Sequence, residues 1–201
     1  MVIPGGNTED VLKNKTEPLN LIKAFAELQK KDPNRERTLM SVCTGSMLLA
    51  QQGILQGLAA TTHPDYYTKL ENICKATALR DLAERTDVME ERYVVNNGRF
   101  DLGEDLDENP YVYSKRGRRT SVARKGSNAW KESNTRRESN ARRAAMKLGG
   151  LRVITSGGVT SGLDASLYLV SALVSNDCAQ EIARVLQYTW IKGVVVDSID
   201  V

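Results

Sequence analysis

The sequence predicts an α/β fold, a three-layer sandwich around a mostly parallel sheet, on three observations. Short apolar runs end in small-residue turns, amphipathic runs of helical spacing follow them, and one such run passes through Cys43 directly into a helix. The 201 residues suit one domain and are enough to bury a sizeable core.

Taken in order, Met1-Val2-Ile3 runs into Pro4-Gly5-Gly6-Asn7 and reads as the end of a buried strand. From Asn20 to Lys31, the spacing of Leu21, Ile22, Ala24, Phe25 and Leu28 predicts an amphipathic helix, stopped by Asp32-Pro33-Asn34. Thr38–Val42 reads as a buried strand. After Cys43-Thr44-Gly45-Ser46, a helix over Met47–Gln52 ends at Gly53. Gly57–Thr62 is a further short strand closing on His63-Pro64, and Tyr66–Arg85 is largely helical. Asp87–Val95 is a strand candidate, followed by the turn signal Asn96-Asn97-Gly98. Leu151–Thr155 is a strand that turns at Ser156-Gly157-Gly158. Helices over Ser161–Val174 and Asp177–Tyr188 follow, and Ile191–Val196 forms a last strand or a tail.

Between 101 and 150 the pattern breaks. Arg, Ser, Asn and Gly dominate, Glu-Ser-Asn recurs at 132–134 and 138–140, and few apolar residues are available to pack. Such a stretch cannot offset the entropy of ordering itself. It is expected to be a basic, low-complexity, mobile insertion, with a short helix near Asn140–Leu148. Lys115–Lys147 holds twelve Lys/Arg against two acids, a local +10, so the remainder of the +3 chain carries −7. The plain reading of this stretch is a solvated loop. A contact with nucleic acid or an anionic surface is a second reading, and kinase targeting at Arg118-Arg119-Thr120-Ser121 and Arg136-Arg137-Glu138-Ser139 a third.

Three cysteines and a single histidine suggest neither a disulfide scaffold nor a zinc site, so no metal and no cofactor are expected. No segment has the apolar length of a membrane span, and Met1–Asp10 is not a signal peptide. A reducing, cytoplasmic location is the expectation.

The chemistry centres on Ser41-Val42-Cys43-Thr44-Gly45-Ser46. A residue at a strand-to-helix elbow projects from the carboxyl edge of the sheet, where α/β proteins bind ligands. The helix N-terminus behind it favours a thiolate and offers N–H groups to an oxyanion. Taken alone the hexapeptide is equally consistent with a buried structural cysteine. Cys74 and Cys178 read as structural. Ser156–Gly162 lacks the Lys and the spacing of a phosphate loop; its glycines let the backbone approach the cysteine pocket.

Four motifs occur in a fixed order: Pro4-Gly5-Gly6, Val42-Cys43-Thr44-Gly45, Ala60-Thr61-Thr62-His63-Pro64, and Ile154–Gly162. In that order they resemble the ThiJ/PfpI superfamily, of the class I glutamine amidotransferase-like (flavodoxin-like) fold, over roughly 2–100 and 151–190. The Cys-Thr-Gly form with Val159–Asp164 looks most like isocyanide hydratases. The resemblance implies that Cys43 is the nucleophile or a readily oxidised thiol, and that Gly6 and Thr44 contribute backbone N–H groups to an oxyanion site. It also places Gly5, His63 and Gly157 beside the cysteine. His63 is read as a hydrogen-bonded neighbour and not a triad member. Asp164 is read as a capping or first-turn acid with a minor site role. The family usually begins two strand–helix units earlier, so the chain is expected to be N-terminally short and without the acid those units supply.

The resemblance implies a homodimer acting on a small electrophilic molecule, with isocyanide hydration to an N-substituted formamide as the closest analogue. Glyoxalase-like chemistry on methylglyoxal is an alternative. A non-enzymatic redox-sensing or chaperone-like protein with a basic binding insert is another.

Overall fold

Leu39 and Met40 are adjacent on one strand and both are sealed from solvent, on opposite faces of the sheet. Val153 and Ile154 repeat the pattern on the neighbouring strand. Successive side chains of a strand point to opposite faces, so a strand apolar at every position needs cover on both sides. The computed structural model supplies that cover, and describes residues 1–98, 112–113 and 145–196.

The elements are β1 (Val2–Ile3), α1 (Glu9–Asn14), α2 (Leu19–Lys31), β2 (Thr38–Val42), α3 (Gly45–Gln51), β3 (Ala59–Ala60), α4 (Tyr67–Asp81), β4 (Asp87–Val88), β5 (Tyr93–Asn96), β6 (Val112–Tyr113), β7 (Arg152–Ser156), α5 (Val159–Leu173), α6 (Asn176–Val185) and β8 (Val194–Val196). The main sheet has the order β1-β2-β7-β5-β8-β6. Its ladders are parallel except β5 against β7, where Tyr93 stands opposite Ser156. One face packs on α2, α3 and α4 through Ile22, Ala26, Leu49, Leu70 and Cys74; the other packs on α5 through Ala165 and Tyr168. This is the predicted α/β sandwich with a mostly parallel sheet.

Several sequence readings are corrected. The core face of α2 is Leu19, Ile22, Ala26 and Gln29, while Leu21 and Leu28 lie in solvent. The predicted face took the apolar residues alone. The helix is turned because Gln29 is fully buried, its amide donating to Gly149 O at 2.9 Å. Asp87–Val95 is not one strand. Asp87–Val88 pairs with Ala59–Ala60 in a separate two-stranded sheet, and Tyr93–Asn96 joins the main one. The Asn96 side chain joins the two by donating to Ala59 O at 2.7 Å and accepting from Ala59 N at 3.0 Å. α1 was not anticipated. The predicted helix near Asn140–Leu148 is not carried to Leu148: residues 147–150 form a tight turn with Leu148 and Gly149 left-handed. Residues 140–144, most of the basic stretch and Thr120-Ser121 lie outside the described residues. The expected insertion nevertheless contributes β6, which pairs with β8.

Two stability measurements check this packing. Ile154→Ala on the central strand should cost about 2–5 kcal/mol in urea denaturation. Leu82 is 95% exposed and left-handed (φ 49°) at the end of α4, so Leu82→Gly should be neutral or stabilising by up to about 1 kcal/mol.

Candidate functional site

β2 ends at Val42, and Cys43 follows with φ 56°, a left-handed backbone that non-glycine residues seldom adopt. Thr44 returns to the right-handed region and α3 begins at Gly45. So sharp a turn brings backbones close together. A Cβ on Gly45 would lie 2.7 Å from Ile3 O, and one on Gly5 would lie 2.6 Å from the Cβ of Cys43. Only glycine fits either place.

Both ends of the Cys43 backbone are held. Its N–H donates to Gly157 O at 2.8 Å and to Ser156 O at 3.0 Å. Its carbonyl accepts from Thr62 Oγ1 and from Ser46 Oγ, each at 3.1 Å. The residue is half-buried, while Cys74 is buried and its thiol is pushed above the ordinary value by that burial. Cys178 sits in the first turn of α6, its N–H donating to the Ser175 cap at 3.1 Å.

The remaining predicted residues surround this elbow to different degrees. Thr44 is buried, and its hydroxyl donates to Gly6 O and accepts from Gly6 N, both at 2.9 Å. The Gly6 N–H is thus engaged by Thr44 in the free protein. Gly157 meets Cys43 directly. His63 caps the turn at Pro64–Tyr66, its Nδ1 accepting from Asp65 N at 3.3 Å, with its ring edge-on to Tyr66. Its Cδ2 would lie 3.8 Å from a Cβ on Gly158, which places His63 at the same sheet edge.

Asp164 is corrected most. It lies in the second turn of α5, not the first, and is fully buried. Its Oδ2 accepts from Arg92 Nε at 2.6 Å and Nη2 at 2.5 Å, and its Oδ1 from Ile191 N at 2.9 Å. A buried carboxylate requires such a partner, so Asp164 is a structural anchor. Arg92 was not anticipated; a single arginine between Glu91 and Tyr93 carries no signal of a partner 72 residues away.

Because β5 and β8 run opposite to β7, their N-terminal ends share an edge with Cys43. Arg92 and the Trp190–Lys192 segment therefore join that edge. The Lys192 ammonium sits 2.9 Å over the Trp190 ring, and desolvation lowers its pKa from 10.5 to about 8. Burial pushes Tyr93 up to about 12. Among the described residues no group of three His, Cys, Asp or Glu gathers around a possible metal position, and no helix is long and apolar enough to cross a membrane. A groove of about 440 Å³ lies at the far end of α3, lined by Lys23, Gln52, Gln56, Arg80 and Asp81. Arg80 and Gln56 both bond Asp81 at 2.7 Å, so the Asp81 carboxylate is satisfied within the groove.

A doubly covered, mostly parallel sheet with a cysteine held left-handed at a strand-to-helix elbow defines the class of protein. Residues 1–99 match the model of the DJ-1/PfpI family, and the chain belongs to that family. It is 34% identical over 64 residues to Protein DJ-1 homolog D of Arabidopsis thaliana, a match covering 32% of this chain and 15% of the relative. A crystal structure of a ThiJ/PfpI family protein from Pseudomonas syringae aligns at 18% identity with a TM-score of 0.48, covering 95% of this chain and 50% of that one. The chain thus spans half or less of either protein.

Two measurements follow. A left-handed non-glycine residue costs about 1–2 kcal/mol, so Cys43→Gly should exceed Cys43→Ala in stability by about 1 kcal/mol, the reverse of the usual order, in chemical denaturation. For Lys192, the folded state binds its proton less tightly than the unfolded chain does. Between about pH 8 and 10.5 its contribution to stability therefore rises with pH. The stability advantage of Lys192→Met over wild type should shrink across that window and be constant below it.

Proposed function

We propose that the chain is a cysteine-dependent hydro-lyase or hydrolase acting on a small electrophilic substrate, with isocyanide hydration as the leading reaction. The observation that carries this reading is the left-handed, half-buried Cys43 at the mouth of α3, with the glycine backbone of Gly5 and Gly157 against it. Strain held at one residue by its surroundings is a mark of functional sites. In this reaction the Cys43 thiolate adds to the terminal carbon of R–NC and a proton joins that carbon, giving a thioimidate. Water adds to the same carbon, and the thiolate leaves with release of R–NH–CHO, so one water is consumed and the cysteine is regenerated. The N–H groups of Thr44 and Gly6 steady negative charge as it develops. Gly6 N–H must first be released by Thr44 Oγ1, which holds it at 2.9 Å. His63, whose Nδ1 is committed to Asp65 N, is a neighbour of this site and not its base. The enzyme works as a cytoplasmic homodimer without metal or cofactor. Glyoxalase-like turnover of methylglyoxal uses the same thiol.

One observation favours a second, non-enzymatic reading. Asp164, the buried carboxylate at this edge, is already committed to Arg92 and Ile191. A half-buried cysteine whose nearby buried carboxylate is committed elsewhere suits reversible oxidation and redox sensing.

Formamide production from aromatic isocyanides decides between the two. Turnover by wild type, reduced at least about 10³-fold by Cys43→Ser, is expected for the enzyme. Turnover unchanged by Cys43→Ser would sink it. No turnover of isocyanide or methylglyoxal, together with peroxide oxidation confined to Cys43, would favour the sensor.

A further inference from the structure

We infer that the buried Asp164–Arg92 ion pair is a positioning device that holds the strained backbone of Cys43 in place. Neither residue touches the thiol. The connection runs through the backbone at residues 91 and 92, the turn that separates β4 from β5.

Asp164 fixes the Arg92 side chain by two charge-assisted hydrogen bonds, and Arg92 Nη2 also donates to Thr160 Oγ1 at 3.2 Å. The turn is thereby tied to the first two turns of α5. From it two paths lead to Cys43. In the first, Arg92 O accepts from Gly157 N at 2.9 Å, and Gly157 O accepts from Cys43 N at 2.8 Å. In the second, Glu91 O accepts from Thr61 Oγ1 at 2.9 Å, and the next residue, Thr62, donates its hydroxyl to Cys43 O at 3.1 Å. The N–H and the C=O of Cys43 are therefore held by separate strands that meet at one clamped turn.

A left-handed cysteine relaxes unless its surroundings over-determine it. The ladder between β2 and β7 ends at Val42–Ser156, and beyond it β7 offers Cys43 the Ser156 carbonyl at 3.0 Å. The two paths through residues 91 and 92 add the Gly157 acceptor to the N–H and, beside Ser46 Oγ, the Thr62 donor to the C=O. Asp164 is fully buried and Arg92 only partly so, which lets the pair act as a rigid post reaching the rim. The catalytic consequence rests on the proposed role of Cys43; the positional one does not.

Amide hydrogen exchange in the 201-residue chain tests this directly. Arg92→Met combined with Asp164→Asn leaves no unpaired buried charge and keeps an acceptor for Ile191 N–H. Arg92→Lys keeps the charge but loses the two-pronged contact, and gives the same reading if the double variant does not fold. Exchange at the Cys43 amide should accelerate about tenfold or more in the double variant and by less in Arg92→Lys, with the amides of Leu49 and Val153 unchanged. Cys43 alkylation should slow by a similar factor while Cys74 stays protected. Unchanged exchange at Cys43, or acceleration equal at all three amides, would overturn the inference. If the selective acceleration is seen and wild type turns over no isocyanide, the positioning role stands and the enzymatic reading falls.

Discussion

Cys43 can occupy its left-handed conformation only because four other segments crowd or bind it. Gly5 leaves no room for a side chain between β1 and the cysteine, Gly157 and Ser156 take its N–H, and Thr62 and Ser46 take its carbonyl. Each of these residues stands at the end of a strand or the start of a helix. The elbow thus constrains where β1, β2, β3 and β7 terminate, and the small residues at those ends answer a demand for close backbone approach.

The two-faced core makes this arrangement rigid. β2 and β7 are apolar at consecutive positions because helices cover both faces, and their five-residue parallel ladder brings Val42 and Ser156 to the same level. The reversed direction of β5 then gives the edge its second character. With all strands parallel, the edge would hold strand C-termini alone. Instead the starts of β5 and β8 carry Arg92, Trp190 and Lys192 to the edge where β2 and β7 end. A cysteine, a clamped arginine and a desolvated lysine consequently share one rim.

Membership of the DJ-1/PfpI family rests on residues 1–99, the half that holds Gly5, Gly6, Cys43 and His63. The second half supplies the partners of that site: Ser156, Gly157 and Asp164. The elbow is therefore composite, with Cys43 on one half of the chain and the acceptors of its N–H on the other.

Local pattern was enough to find β2, α3, α4, β7, α5 and α6, because period and turn chemistry are written in neighbouring residues. It was enough to place Cys43 at an elbow, while Gly5 and Gly157 were put beside it by the family resemblance. It misread α2, where a buried Gln29 takes a core position that only its contact with Gly149 explains. It ran Asp87–Val95 together, since nothing local announces that Arg92 will be captured by Asp164 and that the chain must turn there. It took Asp164 for a first-turn acid, because burial of a charge depends on a partner distant in sequence. Propensity, spacing and small residues at turns were thus decided by the sequence alone. The direction of β5, the commitment of Gly6 N–H to Thr44 and the pairing of Asp164 with Arg92 were decided only in the tertiary structure, because each joins segments whose meeting depends on how the whole sheet is ordered.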